Sequence, residues 1–99
     1  MSAYKIVCET ILAKLDAETR RREGRALDVW IVCERKCVWR EVNHQRALRA
    51  YPPLDIEAIE RAERLALGHS DYVRKYAYAA ADLVFREEPW PISQPAKSP

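Results

Sequence analysis

The stretch Asp71-Tyr-Val-Arg-Lys-Tyr-Ala-Tyr-Ala-Ala-Ala-Asp-Leu-Val-Phe85 constrains the chain most. At a helical period, Tyr72, Tyr76, Ala79, Ala80 and Leu83 share one stripe, with Val73, Ala77 and Val84 beside it. Arg74, Lys75, Asp82 and Arg86 fall mostly off that stripe. Alanine is the best helix former, and the run at 79–81 leaves a flat surface that a neighbouring helix can approach closely. The pattern predicts a central core helix. The whole chain has only two glycines, too few for the turns of an all-β fold.

The rest of the chain supplies helices to surround it. Tyr4, Val7, Cys8, Ile11, Leu12 and Leu15 recur at helical spacing after a capping Ser2. They predict a helix from Ala3 to about Arg22, with Arg20-Arg21-Arg22 at its negative pole and Gly24 as the C-terminal cap. Leu27 to Tyr51 reads two ways. Val29–Cys33 and Val38-Trp39 would suit hairpin strands, but Glu34-Arg35-Lys36 lacks turn residues. As a helix over about 26–49, Trp30, Cys33, Cys37, Glu41, His44, Leu48 and Tyr51 form one stripe, flanked by Leu27, Ile31, Val38 and Val42. The helix is favoured and the hairpin stays open. Pro52-Pro53 pushes Tyr51 out of the α region and closes the element.

Asp55 is placed to cap a third helix from Ile56 to about Leu67, whose inner face is Ile56, Ile59, Ala62 and Ala66. Gly68-His69-Ser70 is a joint, with Ser70 or Asp71 capping the core helix. Four prolines after residue 88 predict an extended tail. The expected architecture is all-α: a small bundle of about four helices over residues 1–87, with a Pro-rich tail over 88–99.

The totals fit one small soluble domain. With 99 residues, 48% hydrophobic and 32% charged, the chain resembles ordinary globular proteins. A chain of this length buries roughly 60–65% of its unfolded surface, so one modest core is expected. Three cysteines without framework spacing suit a reducing compartment. No apolar run approaches the roughly 20 residues that cross a bilayer, and no leader pattern stands at the N-terminus. A cytoplasmic protein without membrane contact is expected. A formal charge of +2 does not by itself point to nucleic acid.

Several constellations could carry chemistry. Cys33, Cys37, Glu41 and His44 share a helical face and are zinc-ligand types, but one straight helix cannot wrap a metal. The commoner reading of the cysteines is small core residues. Glu41-Val-Asn-His44 matches half of a di-iron helix motif, which needs a second copy and two more glutamates. His69, Ser70 and Asp71 are adjacent, so their side chains diverge and cannot form a catalytic relay. With no nucleophile elbow or phosphate loop, neither an enzyme nor a cofactor is expected.

Residues 58–84 look like a degenerate helix-turn-helix through Leu67-Gly68-His69-Ser70, with Arg74, Lys75 and Arg25 available for phosphates. The would-be recognition helix carries mostly Tyr, Ala, Leu and Val, which suits burial better than a DNA groove. Trp30 and Trp39 stand nine positions apart, on opposite sides of a helix, so one of them needs cover from another chain or from the tail. Aromatic residues with polar tips are enriched in protein interfaces. Trp30, Trp39, Trp90 and the basic run Arg20, Arg21 and Arg22 are the candidate partner contacts, in a homodimer.

The segment Glu41-Val-Asn-His-Gln-Arg-Ala-Leu-Arg-Ala-Tyr-Pro-Pro-Leu-Asp-Ile-Glu-Ala-Ile-Glu-Arg-Ala-Glu-Arg-Leu-Ala-Leu-Gly-His-Ser-Asp-Tyr72 resembles small helical accessory proteins of bacteriophage and prophage genomes, and the likeness continues to about Val84. Ala66-Leu-Gly-His-Ser-Asp-Tyr72 is its most distinctive part. The resemblance implies action inside a bacterium on a host protein. The leading expectation is therefore a non-enzymatic protein-binding module, an inhibitor or modulator of a host bacterial protein. The alternative is a small DNA-binding regulator.

Overall fold

A computed structural model describes residues 2–21 and 27–86, with side chains at 2–18 and 32–86. Gly24, Arg25 and the Pro-rich tail expected over 88–99 lie outside them. Among the described residues there are four helices and no strand: α1 (Ala3–Arg21), α2 (Leu27–Leu48), α3 (Ile56–Ala66) and α4 (Tyr72–Phe85). The hairpin alternative for 29–42 falls, because that whole stretch belongs to α2. No helix is long and apolar enough to cross a membrane among the described residues.

The alanine-rich stretch does become the centre. α4 packs against each of the other three helices, while α1 and α3 do not meet. It can do so because small side chains face several directions: Ala77, Ala79, Ala80 and Ala81 are all buried, beside Tyr76, Leu83 and Val84. Val7, Ile11 and Leu15 of α1 and Ile59, Ala62 and Ala66 of α3 complete the core. Ser2 Oγ accepts the Lys5 N–H at 3.1 Å, the cap expected at the start of α1.

α2 corrects the expected stripe. Its buried line is Glu34, Val38, Glu41, Val42 and Arg46. Cys33 and Cys37 are only half-buried, and His44, Leu48 and Tyr51 are exposed. The face toward the core is half polar, so following apolar residues alone selects the wrong side of the helix. The supposed flank, Val38 and Val42, is the interior.

The ends of the helices also differ from expectation. α2 stops at Leu48, before the prolines act. Ala50 takes a positive φ of 61°. Its N–H donates to Ala47 O at 3.1 Å, and the Tyr51 N–H donates to Arg46 O at 2.9 Å. That is a Schellman ending with alanine where glycine usually sits. Asp55 and Asp71 occupy the N-cap positions of α3 and α4, but neither side chain makes a capping hydrogen bond. Asp71 instead pairs with Arg74 at 3.2 Å. The joint is a full turn, and Gly68 at φ +87° is needed for its backbone angle; an added Cβ would meet nothing.

One side chain fastens these pieces together. Arg46 is 3% exposed. Its Nε donates to Pro52 O at 2.7 Å. Its Nη1 donates to Leu83 O at 2.8 Å, Arg86 O at 3.1 Å and Val84 O at 3.4 Å. The last carbonyls of a helix have no partner of their own, and they form its negative pole. A guanidinium from α2 supplies both donors and charge to the end of α4.

Arg46→Ala is expected to lower stability by about 3 kcal/mol, because it strips donors from several buried carbonyls at once. Arg46→Lys recovers only part of that, since an ammonium cannot reproduce the planar fork. Ala50→Gly should stabilise by about 1 kcal/mol by relieving the left-handed alanine. Urea unfolding midpoints measure all three changes.

Candidate functional site

The first place to look for chemistry is the polar interior. Glu34, Arg35, Glu60, Glu63, Tyr72 and Tyr76 cluster where α2, α3 and α4 meet. The Tyr72 hydroxyl donates to Glu34 Oε1 at 3.0 Å. Arg35 reaches Glu63 Oε1 from Nη2 at 2.9 Å and Glu60 Oε2 from Nη1 at 3.3 Å. The Tyr72 and Tyr76 rings lie 5.6 Å apart, tilted by 51°. Burial, then the carboxylates of Glu63 and Glu34, push the Tyr76 hydroxyl above the usual tyrosine range. Burial and Glu34 do the same to Tyr72.

Carboxylates beside tyrosines could move protons; the Arg35 and Glu60 side chains reach the surface at 25% and 36% exposure, but the groups between them are enclosed. Glu34 and Tyr76 are both 0% exposed, and Glu63 is 6% exposed. None of the six lines the surface groove between α1 and α2 or the one between α1 and α4. The cluster therefore acts as a polar clasp within the core. In the sequence, Glu34 shares one helical face with Val38, Val42 and Arg46 at steps of four, but its partners on α3 and α4 leave no mark there.

The residues proposed for metal do not assemble. Glu41 is tied to Lys14 at 3.7 Å and accepts from Gln45 Nε2 at 2.8 Å. Cys37, Glu41 and His44 line a groove of about 480 Å³ between α1 and α2, and Cys33 does not. Among the described residues, no group of three or more His, Cys, Asp or Glu could hold a metal ion.

Nor does the helix-turn-helix reading gain a recognition helix. α4 is wrapped by three neighbours, and seven of its residues are buried. It cannot enter a groove of DNA while it forms the core. Arg74 and Lys75 are exposed, but Arg74 is held by Asp71.

Among the proposed partner contacts, Trp39 is half-buried, and its indole N–H donates to Leu54 O at 2.9 Å. Asn43 bonds the same residue in both directions, at 3.0 and 2.9 Å. The connection before α3 thus covers Trp39, so it does not need a second subunit for that purpose. Arg22 and Trp90 lie outside the described residues, as do the side chains of Arg20, Arg21 and Trp30.

What the structure does gather is an aromatic surface at the end where α1 begins and α2 and α4 finish. Tyr4 was expected in the core stripe but is 39% exposed, because it overhangs the last turn of α4. Its ring sits 6.3 Å from that of Phe85, and its hydroxyl leans on Tyr78 O at 3.4 Å. The Arg49 guanidinium lies 5.0 Å from the centre of the Phe85 ring. The last residue of α2, Leu48, is 67% exposed, and Tyr51 beyond it rests over the Arg46 guanidinium at 5.5 Å. Next to this end, Tyr4, Lys5, Cys8, Glu9, Leu12, Arg74 and Tyr78 line a groove of about 500 Å³ between α1 and α4. Burial pushes the Cys8 thiol above its ordinary range, which favours the thiol over the thiolate.

Comparison with known protein families, with curated proteins and with solved structures returned no match.

Because the fold favours the protonated tyrosines, stability should be complete below about pH 10 and fall as pH rises past that ordinary tyrosine value. Tyr72→Phe is expected to cost about 1–2 kcal/mol by removing the hydrogen bond to Glu34 Oε1. The Tyr76 hydroxyl has no hydrogen-bond partner among the described residues. Tyr76→Phe should therefore be neutral or stabilising at neutral pH. Chemical unfolding at pH 7 and pH 10.5 tests all three statements.

Proposed function

We propose that this chain is a non-enzymatic protein-binding module of the phage or prophage accessory kind, which modulates a host bacterial protein by covering part of its surface. One observation carries the reading: Tyr4, Leu48, Arg49, Tyr51 and Phe85 collect at one end of the bundle, three of the aromatic rings and Leu48 standing well exposed. Aromatic and arginine side chains dominate the energetics of protein interfaces. Isolated exposed apolar residues are ordinary, but a group of them contributed by three helices is not.

The non-enzymatic part of the reading draws support from the enclosure of the polar cluster. The host-protein part draws on the resemblance of residues 41–84 to phage accessory proteins. The contact surface differs from the tryptophan and arginine set expected from sequence, since Trp39 is committed to the Leu54 carbonyl. A homodimer would have to rest on other residues than Trp39.

Tyr4→Ala with Phe85→Ala should deplete the captured partner at least tenfold in affinity purification from bacterial lysate with mass-spectrometric readout. The thermal midpoint should stay within a few degrees, because both residues are substantially exposed. Trp39→Ala should instead lower the midpoint by losing packing and the bond to Leu54. An unchanged set of captured proteins in the Tyr4/Phe85 variant would overturn the reading.

A further inference from the structure

The aromatic end has a chemical preference built into it. Arg46 and Arg49 both stand there, and neither meets a carboxylate among the described residues. Arg46 spends its donors on backbone carbonyls. Arg49, just past the end of α2, bonds back to that helix, from Nη1 to Gln45 O at 2.9 Å and to Gln45 Oε1 at 3.0 Å. Its Nε and Nη2 make no hydrogen bond among the described residues, and its plane lies against Phe85.

Among the described residues, that geometry leaves the Nε–Nη2 edge of the guanidinium without an acceptor, while Gln45 and Phe85 hold the group in place. Two N–H groups on one edge match the two oxygens of a carboxylate. Because the group is already oriented, little side-chain freedom remains to be lost on binding. The rings of Phe85 and Tyr4 offer apolar contact beside it.

We propose that Arg49 is a carboxylate clamp, and that the partner docks here through a segment carrying Asp or Glu next to bulky apolar side chains. This rests on the protein-binding reading above and names the partner's chemistry. A second copy of the chain is the poorer occupant. A two-fold contact through this end would bring the Arg49 and Arg46 charges toward their own counterparts. Opposite charge on a different protein removes that repulsion and sets the register of docking.

The test uses a display library of random 12-residue peptides, selected on the immobilised full-length chain. The expected winners carry Asp or Glu beside Leu, Phe or Trp. Arg49→Gln should weaken the best of them by about tenfold or more, the range of a charge-assisted bidentate bond. Arg49→Glu should abolish the acidic preference, and Phe85→Ala should weaken acidic and neutral peptides alike. Circular dichroism on each variant checks folding. Winners without acidic bias that are lost with Phe85→Ala, yet keep their affinity with Arg49→Gln, would overturn the clamp while leaving a protein-binding surface in place. No enrichment at all would overturn both. Glu87 and Glu88 follow Arg86 directly, so Glu87→Gln with Glu88→Gln is the control: a marked gain in peptide affinity would make the chain's own carboxylates the occupant and overturn the proposal. Unchanged affinity supports it.

Discussion

The Arg46 guanidinium is the contact on which the other elements lean. Moving a charge from water into a protein interior is costly unless hydrogen bonds replace hydration. Here the replacement comes from parts of the backbone that need a donor in any case. The end of α4 has carbonyls with no helical partner, and the connection after α2 offers Pro52 O. One side chain thus answers two shortages and draws together the end of α2, the prolines after it and the end of α4. The Tyr51 ring closes over the charge from outside.

That fastening explains how a helix made largely of alanine can be a core. Alanine buries little surface per residue, so α4 gains stability chiefly through close approach of its neighbours. Close approach leaves little room for error in its position along the bundle. Arg46 fixes the position at one end of α4. Near the other, the Tyr72–Glu34 hydrogen bond and the Arg35 pairs with Glu60 and Glu63 join α2 to α3 and α4. Between these two polar points lies the apolar layer of Ala80, Leu83, Ile11 and Ile59.

The same polar points mark where sequence reading fails. Four helices, the core role of 72–85 and the boundaries of α1 and α3 were legible, because their apolar residues recur at one helical period without interruption. α2 was legible as a helix but not in its facing. Its inward residues include Glu34, Glu41 and Arg46, and much of what makes these favourable inside comes from partners on another helix: Tyr72 for Glu34, Lys14 for Glu41 and the end of α4 for Arg46. No local pattern announces such partners. The ending at Ala50 was hidden for a related reason, since alanine carries no turn signal. The aromatic end was missed because Tyr4 fits the core stripe of α1 while Phe85 lies off the stripe of α4, and neither helix's own pattern brings the two rings together. Trp39 misled in the opposite direction, because a carbonyl from the following loop covers it.

α4 is the last element to open, held at its C-terminal end by a side chain from α2. Native-state amide hydrogen exchange measures this directly. The account predicts that the amides of Tyr76 to Val84 exchange only through global unfolding, with free energies equal to the total stability. It predicts that those near the start of α1 open earlier, and that replacing Arg46 lowers protection along α4 as a unit. Faster exchange in the middle of α4 than in α1 and α3 would contradict it.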